Sequence, residues 1–549
     1  MLRRSCCVRA LTVSLTASLA FPGGSPLVAQ DTMDSGWVER WTEDLAFAHQ
    51  VLREQHPGPF DALSPEELQA EFDQLVERLP GLDHHQVIVD LARIVARLED
   101  GHTRLTLPLA GGVEFMQGHS TTVSPTLPEM LFHQYPLRFG IDTRGIWVQS
   151  VATGLERLLG GRLVAIDGRS AEEVVERIRP TIHADNEMQV NHHLPMHLVL
   201  PELLHARGVA RSVDRASFEI ESRHGSVETV LLSPVAESAT VSWVTLASGP
   251  TGGPPELLAR QYNDENFWFR HVASRRLIYL QFNTVYDTEG ETIRQFSQRL
   301  SGILRQAPDA ALVIDLRRNR GGSQSLSLPL LHAVIRSSQN RAGRLFTIVG
   351  RTTFSAAMTF ALQMEEHTQT LFVGEPTGSK PNHYGDSRKF VLPNSNVTLR
   401  ISSLYWQADP RDTRPWIEPH IDAPPTLEAE LAGIDPALEA IESLIVGHSA
   451  PAKFLGAWQG NLLPASYGRD STLRFHNSSG TLVASVNIPQ LEMEGVAPES
   501  VSLKPGAVSF QIAIGDENIT YRLNIRGPWI IGEADVGSVR FPVLLQRLE

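Results

Sequence analysis

The chain has 549 residues and a formal net charge of −14, with 62 acidic and 48 basic side chains. Its length predicts two to four domains that can each bury a core, and its acidic balance argues against nucleic acid or anionic lipid as a partner. The two cysteines, Cys6 and Cys7, stand close to the amino terminus, so disulfide and thiol chemistry are not expected in the rest of the chain.

Residues 1–30 have the composition of a secretory signal peptide. Arg3, Arg4 and Arg9 precede an apolar stretch over 10–21, and a break containing Pro and Gly follows it. The stretch has about a dozen residues, whereas a membrane span needs roughly 20. We therefore expect a periplasmic or secreted protein whose mature chain has lost both cysteines, and we expect no membrane span.

Residues 31–110 predict an N-terminal helical segment. Apolar side chains recur at helical spacing in three stripes, which is typical of helix faces that pack against a core. We assign the stripes no chemistry, and we expect the last helix to end at 100–101, just before His102. His56 and the pair at 84–85 are predicted to be cap or surface residues. The stripes are Trp41, Leu45, Ala48 and Leu52; Leu68, Phe72, Leu75 and Leu79; and Val87, Leu91, Ile94 and Leu98.

Residues 111–250 predict a β-rich insert. Strands are expected at 145–151 and 163–168, with a helix over 171–178. This piece resembles part of a PDZ-type module, which would take an extended peptide by strand addition; a purely structural insert is the alternative. The Gly/Pro-rich run at 248–255 predicts a linker.

Five histidines fall within residues 181–205 and raise the question of a metal site. Their spacings match no closed zinc pattern. We therefore predict that the protein uses no metal ion and no other cofactor. The five are His183, His192, His193, His197 and His205.

Residues 258–446 carry the pattern of an α/β core. Apolar runs end in Gly-rich turns and give way to segments with helical periodicity, and two such units follow each other directly. This succession predicts a parallel, buried sheet. The predicted strands are 277–282, 311–316, 345–349 and 371–373, with a hairpin at 390–392 and 397–401; the predicted helices are 289–304, 326–335, 355–362 and 427–446.

Ser355 stands where the second strand-turn-helix unit passes from its turn into its helix. Serine is a common N-cap residue, so its hydroxyl could simply satisfy a helix N–H group. Alternatively, the turn presents the hydroxyl above the sheet as a nucleophile, beside the positive helix end. Gly321 and Gly322 end the neighbouring strand, where glycine lets backbone N–H groups turn towards a reacting carbonyl. These neighbours favour the nucleophile.

Four short segments follow one another in an order that is specific to one family. They are Asp100-Gly101-His102-Thr103, Asp315-Leu316-Arg317-Arg318-Asn319-Arg320-Gly321-Gly322, Thr353-Phe354-Ser355-Ala356-Ala357 and Gly374-Glu375-Pro376-Thr377-Gly378-Ser379-Lys380. These segments resemble the C-terminal processing (tail-specific) serine peptidases and the tricorn protease core, and the resemblance covers residues 37–444. It implies an α/β core of the ClpP/crotonase-like ββα type. It also implies that Ser355 attacks the scissile carbonyl, and that the N–H groups of Gly321 or Gly322 and of Ala356 form the oxyanion hole.

The resemblance offers two alternatives for the group that deprotonates Ser355. In the processing peptidases a Lys 25 residues after the Ser is the base, and Lys380 has that position here. Such a Lys needs a dry pocket that lowers its pKa to ~7 to 8, and the Gln that usually follows it is replaced by Tyr384. In the tricorn-like alternative His102 is the base, steered by a carboxylate for which Asp412 is the candidate. The sequence leaves both alternatives open.

Residues 453–549 predict a C-terminal all-β module, because short alternating strands are separated by glycine turns. Its start at Gly456-Ala457-Trp458-Gln459-Gly460 and its late Gly532-Glu533 resemble lipocalin-like barrels. The module is expected either to bind a ligand or, as we favour, to stabilise the rest of the chain.

These observations together predict an exported serine peptidase that acts on peptides or unfolded proteins without a metal ion. The alternative is a catalytically inactive protein that binds peptides or hydrophobic ligands on the same fold. The oligomeric state and the cleavage specificity stay open.

Overall fold

The structure, a computed structural model, describes residues 36–110, 128–236, 241–246, 257–262, 264–446, 456–478, 481–504, 507–515, 517–526 and 528–548. The predicted signal peptide at 1–30 and the predicted linker at 248–255 lie outside the described residues. Among the helices that are described, none has the length and hydrophobicity that a membrane crossing requires.

The N-terminal segment is helical, as its apolar stripes predicted. Two of its helices begin with a capping box, in which Ser64 pairs with Glu67 and Asp83 with Gln86. Each box satisfies N–H groups that the first helical turn leaves without a partner. The helices are α1 (Gly36–Gln55), α2 (Pro65–Arg78) and α3 (His84–Ala96).

Helix α3 ends earlier than the sequence pattern indicated. Its last residue is Ala96, and Leu98 and Glu99 instead donate to carbonyls three residues back. Glu99 has a φ of +52°, which turns the chain away from the helix axis. The predicted end at 100–101 is therefore wrong, because the apolar spacing continues to Leu98 through turns. The turn leaves Asp100 free to bury its carboxylate, and this residue is only 1% exposed.

The insert is an antiparallel sheet with the strand order β2-β3-β4-β6-β7, in which β8 pairs with β3 and β5 with β4. Its apolar side chains share one continuous core with helices α1 to α3. The helix predicted at 171–178 is confirmed, whereas the PDZ likeness stays a prediction. With β1 (Arg104–Thr106) before it, the segment comprises β2 (Leu137–Asp142), β3 (Gly145–Ala152), β4 (Arg162–Ile166), β5 (Arg169–Ser170), α4 (Ala171–Ile178), α5 (Glu187–His197), α6 (Pro201–Ala206), β6 (Ala216–Glu221), β7 (Val227–Leu232) and β8 (Trp243–Thr245).

The predicted buried sheet of residues 258–446 is confirmed. Its order is β18-β13-β12-β11-β10-β9, and every pair is parallel except β9 with β10. The strands are β9 (Phe267–Val272), β10 (Leu277–Phe282), β11 (Ala311–Asp315), β12 (Leu345–Val349), β13 (Leu371–Gly374) and β18 (Ile421–Asp422). The helices are α7 (Ile293–Gln306), α8 (Leu328–Ile335), α9 (Ala356–His367), α10 (Leu427–Ala432) and α11 (Pro436–Val446).

Alternate residues of these strands face two different apolar layers. Ile278 and Leu280 of β10 pack with helices α7 to α9, whereas Leu277 and Tyr279 pack with α11 and the C-terminal module. Both sheet faces are therefore covered, which is why the strands appear in the sequence as continuous apolar runs. The single helix predicted at 427–446 is in fact two, because Gly433 adopts a φ of +65° between α10 and α11.

Two small sheets complete this half of the chain. The predicted hairpin at 390–392 and 397–401 is confirmed, and its second strand also pairs with β1. The strands are β14 (His383–Gly385), β15 (Arg388–Val391), β16 (Thr398–Ile401) and β17 (Leu404–Trp406), with β14 paired to β17.

The C-terminal module is a nine-stranded antiparallel sheet, ordered β22-β21-β20-β19-β27-β26-β25-β24-β23. Within its described residues no ladder joins β22 to β23, so the lipocalin likeness stays a prediction. The alternating patterns at 473–475, 482–488, 508–514, 520–525 and 541–545 predicted five of these strands and missed four, β19, β22, β23 and β26. The strands are β19 (Gly456–Asn461), β20 (Ser471–Ser478), β21 (Thr481–Ile488), β22 (Met493–Val496), β23 (Glu499–Lys504), β24 (Ala507–Ile514), β25 (Glu517–Arg526), β26 (Trp529–Val536) and β27 (Val539–Arg547).

Candidate active site

Ser355 occupies a strained turn between β12 and α9. Its φ is +56° and its ψ is −127°, a combination that a residue with a Cβ rarely adopts. Although it stands at the N-cap position, its side chain makes no capping hydrogen bond. The hydroxyl therefore does not stabilise the helix end. Ser355 lines a large cavity in the described part of the chain.

Gly321 lies against Ser355. A Cβ built on this glycine would lie 2.7 Å from Ser355 Cβ and 2.8 Å from the backbone nitrogen of Ala356. The φ of Gly321 is +104°, which also favours glycine. The two strand ends can approach this closely only because the residue has no side chain.

The hydrogen bonds around these glycines show which backbone N–H groups are available to bind an oxyanion. Buried Asn319 accepts from the N–H group of Gly321 at 2.8 Å and donates to Phe282 O at 2.8 Å. Within the described residues, the N–H groups of Gly322 and Ala356 have no hydrogen-bond partner. Gly322 and Ala356, rather than Gly321, are therefore the two donors that remain for an oxyanion.

We expect Gly321→Ala to lower peptide hydrolysis at least about 100-fold, because the added methyl group displaces Ser355 and the Ala356 N–H group. Gly290→Ala is the matched control, since a Cβ there meets no atom within 4 Å. Steady-state kinetics of both variants check this. If Gly321→Ala keeps most of the activity, the close approach of the two strand ends is not needed for catalysis.

His102 contacts the segment that carries Ser355. Its ring stacks on Phe354, the residue before Ser355, with centroids 4.2 Å apart, and on His383 at 5.8 Å. His102 is 8% exposed and lines the same cavity as Ser355. Burial lowers the pKa of His102 to about 3, although the nearby Asp100 carboxylate opposes that shift. The imidazole is therefore neutral near pH 7.

The hydrogen bonds of the ring indicate which nitrogen can accept a proton. A hydrogen bond to the Tyr384 backbone raises the pKa of His102 in part, as a ring N–H that donates to a carbonyl does. Within the described chain Nδ1 is buried without a partner. Nε2 then carries the hydrogen, and Nδ1 is the free acceptor.

Asp100 holds the segment that carries His102. Its Oδ1 accepts from the backbone N–H of His102 at 2.8 Å, and its Oδ2 accepts from Ser402 Oγ at 2.6 Å and lies 3.1 Å from His56 Nε2. Burial alone would raise the pKa of Asp100, but the hydrogen bonds from His56 and Ser402 hold it below its usual range. The segment is tied further by Asp185, which accepts from the Gly101 N–H at 2.7 Å.

The sequence missed this network. His56 was predicted to be a cap or surface residue, but it is 4% exposed and pairs with Asp100, so that prediction was wrong. Asp185 and Ser402 were not predicted to matter at all. No local pattern could have found them, because the three residues come from distant parts of the chain.

Two of the predicted site residues, Lys380 and Asp412, are not among the described residues that line the cavity. Lys380 is half-buried. Asp412 instead pairs with Arg414 at 2.8 Å, which also binds Glu365. Their predicted roles as base and as steering carboxylate stay predictions.

The cavity has a volume of about 1860 Å³, well above the roughly 300–1,000 Å³ of a small-molecule pocket. Four of the five histidines of the predicted His-rich segment line it, namely His183, His192, His193 and His197. In the described part of the chain no group of three or more His, Cys, Asp or Glu side chains is placed to hold a metal ion. The size of the cavity suits an extended peptide.

Several buried histidines make the fold sensitive to acid. Burial lowers the pKa values of His102, His197 and His420 to about 3, 4 and 3, whereas an unfolded histidine titrates near 6.5. Below pH 6.5 the unfolded chain therefore binds more protons than the folded chain, and stability is lost as the pH falls. Each histidine contributes about 2 kcal/mol of this loss by pH 5.

We expect the midpoint of thermal unfolding to fall markedly between pH 8 and pH 5. His420→Gln should reduce the fall in part, because glutamine does not titrate but can still accept a hydrogen bond from the Phe372 N–H group, which now donates to His420 Nδ1 at 3.0 Å. Equal midpoints at the two pH values would show that these side chains are protonated in the folded chain.

The chain matches no protein-family model and no curated protein. It is similar to the solved structure of mature CPAF complexed with lactacystin, with a TM-score of 0.51 and 13% identity over 75% of this chain and 98% of that one. The photosystem II D1 C-terminal processing protease also matches, with a TM-score of 0.33 and 15% identity over 72% and 98% of the two chains. The tricorn protease matches with a TM-score of 0.35 and 13% identity over 74% of this chain and 37% of that one.

Of these three comparisons, the one with CPAF has a TM-score that indicates a shared fold. The expected resemblance is confirmed at this level: the chain has the fold of mature CPAF, and the solved structures that match it include the C-terminal processing and tricorn proteases that its motifs resemble.

Proposed function

We propose that the protein is a serine peptidase that cleaves peptide bonds with Ser355 as nucleophile and His102 as general base. The observation that carries this proposal is the state of Ser355. It sits in a strained turn with a hydroxyl that makes no capping hydrogen bond, and it shares a cavity with a neutral, buried histidine. Strain of this kind is found mainly at functional sites.

The proposed reaction follows from the groups around Ser355. Its hydroxyl gives its proton to Nδ1 of His102 while Oγ attacks the carbonyl carbon of the scissile bond. The carbonyl oxygen becomes an oxyanion that the N–H groups of Gly322 and Ala356 bind. The imidazolium is stabilised by the Asp100 carboxylate and gives its proton to the leaving amine. Water then hydrolyses the acyl-enzyme by the same steps.

Asp100 takes the place of the steering carboxylate in this proposal. Its Oδ1 binds the backbone of His102 rather than the ring, so it acts through the position of the segment and through its charge. Lys380 remains the alternative base. Its half-buried side chain would have to reach the cavity from a segment whose neighbour, Ser379, is held to Asp185 at 2.6 Å.

The fold, the substrate class and the location of the protein complete the proposal. We infer a ClpP/crotonase-like core, unfolded proteins or peptides as substrates, and export by residues 1–30. The C-terminal module is assigned a structural role, because Ile531 and Leu544 pack on the sheet face opposite helices α7 to α9. Gln369 Nε2 also donates to Arg540 O at 2.9 Å and joins the module to the core.

Labelling with a fluorophosphonate probe tests the proposed function. The probe reacts with activated serines, so the wild-type protein should be labelled and should cleave an unfolded test protein such as casein. A folded protein that is neither labelled nor active on unfolded proteins would favour the alternative, a binding protein that keeps the fold without the chemistry.

A further inference from the structure

Three cations stand in a row across the small sheet formed by β1, β16 and β15. Arg104 lies directly opposite Arg400, and Arg400 lies directly opposite Lys389. Side chains at directly opposite positions of antiparallel strands lie on the same face, and like charges in that arrangement destabilise a sheet. The row therefore opposes folding unless something outside the sheet compensates it.

The neighbouring row shows which way the cations face. Leu105, Leu399 and Phe390 stand opposite one another and pack into the core shared with helices α1 to α3. Because side chains alternate along a strand, the row of cations faces away from that core. Arg104 and Arg400 accordingly line the cavity that contains Ser355.

The two arginines have no partner of their own. In the described part of the chain neither guanidinium makes an ion pair or a hydrogen bond, and Arg400 Nε is buried without a partner. The nearby Asp100 carboxylate is already bound by Ser402 and His56. Burial, together with the charge of Arg400, lowers the pKa of Arg104 to about 10.

Other arginines around the cavity differ in this respect. Arg351 pairs with Glu375 at 2.6 Å, and Arg320 Nη2 lies 2.9 Å from His192 Nε2. A chain with a net charge of −14 thus leaves two guanidinium groups without a counter-ion at the wall of its cavity. Paired guanidinium groups offer the fork of N–H donors that binds a carboxylate.

We propose that Arg104 and Arg400 form a subsite for a carboxylate of the bound peptide, with Lys389 at its outer edge. The proposal rests on the proposed function for the identity of the ligand as a peptide. The carboxylate belongs either to an aspartate or glutamate side chain of the substrate or to its carboxyl terminus, and both sources have the same recognition chemistry.

Peptide binding to the full-length protein carrying Ser355→Ala tests the subsite without turnover. The probes are fluorescein-labelled octapeptides of alanine and leucine, each with Asp or Asn at one position and with a free or amidated carboxyl terminus. Fluorescence anisotropy should show at least about tenfold tighter binding for peptides with a carboxylate. Tighter binding of the Asp peptides with amidated termini would identify a side-chain carboxylate as the ligand. Tighter binding of the Asn peptides with free termini would identify the carboxyl terminus.

Arginine substitutions added to the Ser355→Ala protein test whether the preference for a carboxylate depends on Arg104 and Arg400. Arg104→Gln and Arg400→Gln should remove the preference, whereas Arg388→Gln, an exposed arginine of β15, should keep it. Arg400→Gln should also raise the midpoint of thermal unfolding, because it relieves the repulsion; this result separates a lost subsite from a lost fold. Equal binding of all four peptide types, or a preference that survives both substitutions, would overturn the proposal.

Labelling separates this inference from the proposed function. Arg388→Gln with Ser355 intact should react with the fluorophosphonate probe as the wild type does, since Arg388 is exposed and does not line the cavity. A wild-type protein that binds carboxylate peptides but is never labelled would uphold the subsite and reject the peptidase.

Discussion

Ser355→Ala is expected to lower peptide hydrolysis by at least about 10⁴-fold and to abolish fluorophosphonate labelling. The loss is this large because the hydroxyl forms the covalent bond and no other group can replace it. The fold should be unaffected, since the side chain makes no capping hydrogen bond at α9. The midpoint of thermal unfolding should therefore stay within a few degrees of the wild type.

The matched control for this variant is Ser379→Ala. Ser379 is buried and precedes Lys380, and its hydroxyl donates to Asp185 at 2.6 Å. Its loss should cost stability, because Asp185 is left with an unpaired buried oxygen, while the nucleophile stays in place and is labelled. Labelling of Ser355→Ala would show that another serine carries the reaction.

His102→Ala is expected to lower the rate of acylation by about 10² to 10⁴-fold, the usual contribution of a general base. Lys380→Met should lower it by less than about tenfold, because methionine preserves the packing of the lysine stem and the ammonium group is not part of the cavity. Single-turnover kinetics with a chromogenic ester measure both effects. The opposite order, with Lys380→Met the inactive variant, would make the lysine the base.

His102→Gln helps to distinguish catalysis from support of the fold. Glutamine keeps a donor for the Tyr384 backbone and fills much of the space beside Phe354. It should therefore restore the unfolding midpoint lost in His102→Ala without restoring the rate. Recovery of the rate would indicate that the imidazole only positions its neighbours.

The strands and helices around Ser355 were predictable because their signals are local. The apolar runs at 311–316 and 345–349 are buried on both faces. The turn after the first contains Gly321 and Gly322, and the turn after the second contains the strained Ser355. Gly321 was identified for the right physical reason, although its N–H group turned out to bind Asn319. Such side-chain competition for a backbone donor leaves no trace in the spacing of residues.

The choice of base and the carboxylate subsite depended on contacts between distant segments. Asp100 is joined to Ser402, 302 positions away, and Arg104 stands opposite Arg400 only because β1 joins the hairpin as a third strand. The register of a strand that pairs with a distant hairpin is set by the whole fold. Sequence patterns could therefore propose His102 but could not place it next to Phe354.

The most direct test of the central claim is the pH dependence of fluorophosphonate labelling of Ser355, measured as a rate from pH 8 to pH 5 in protein that is shown to stay folded. The neutral form of His102 persists down to its pKa of about 3, so the rate should show no loss from protonation of the base over this range. A rate that falls with an apparent pKa near or above 7, and that loses this dependence in Lys380→Met, would contradict the account and assign the base to the lysine.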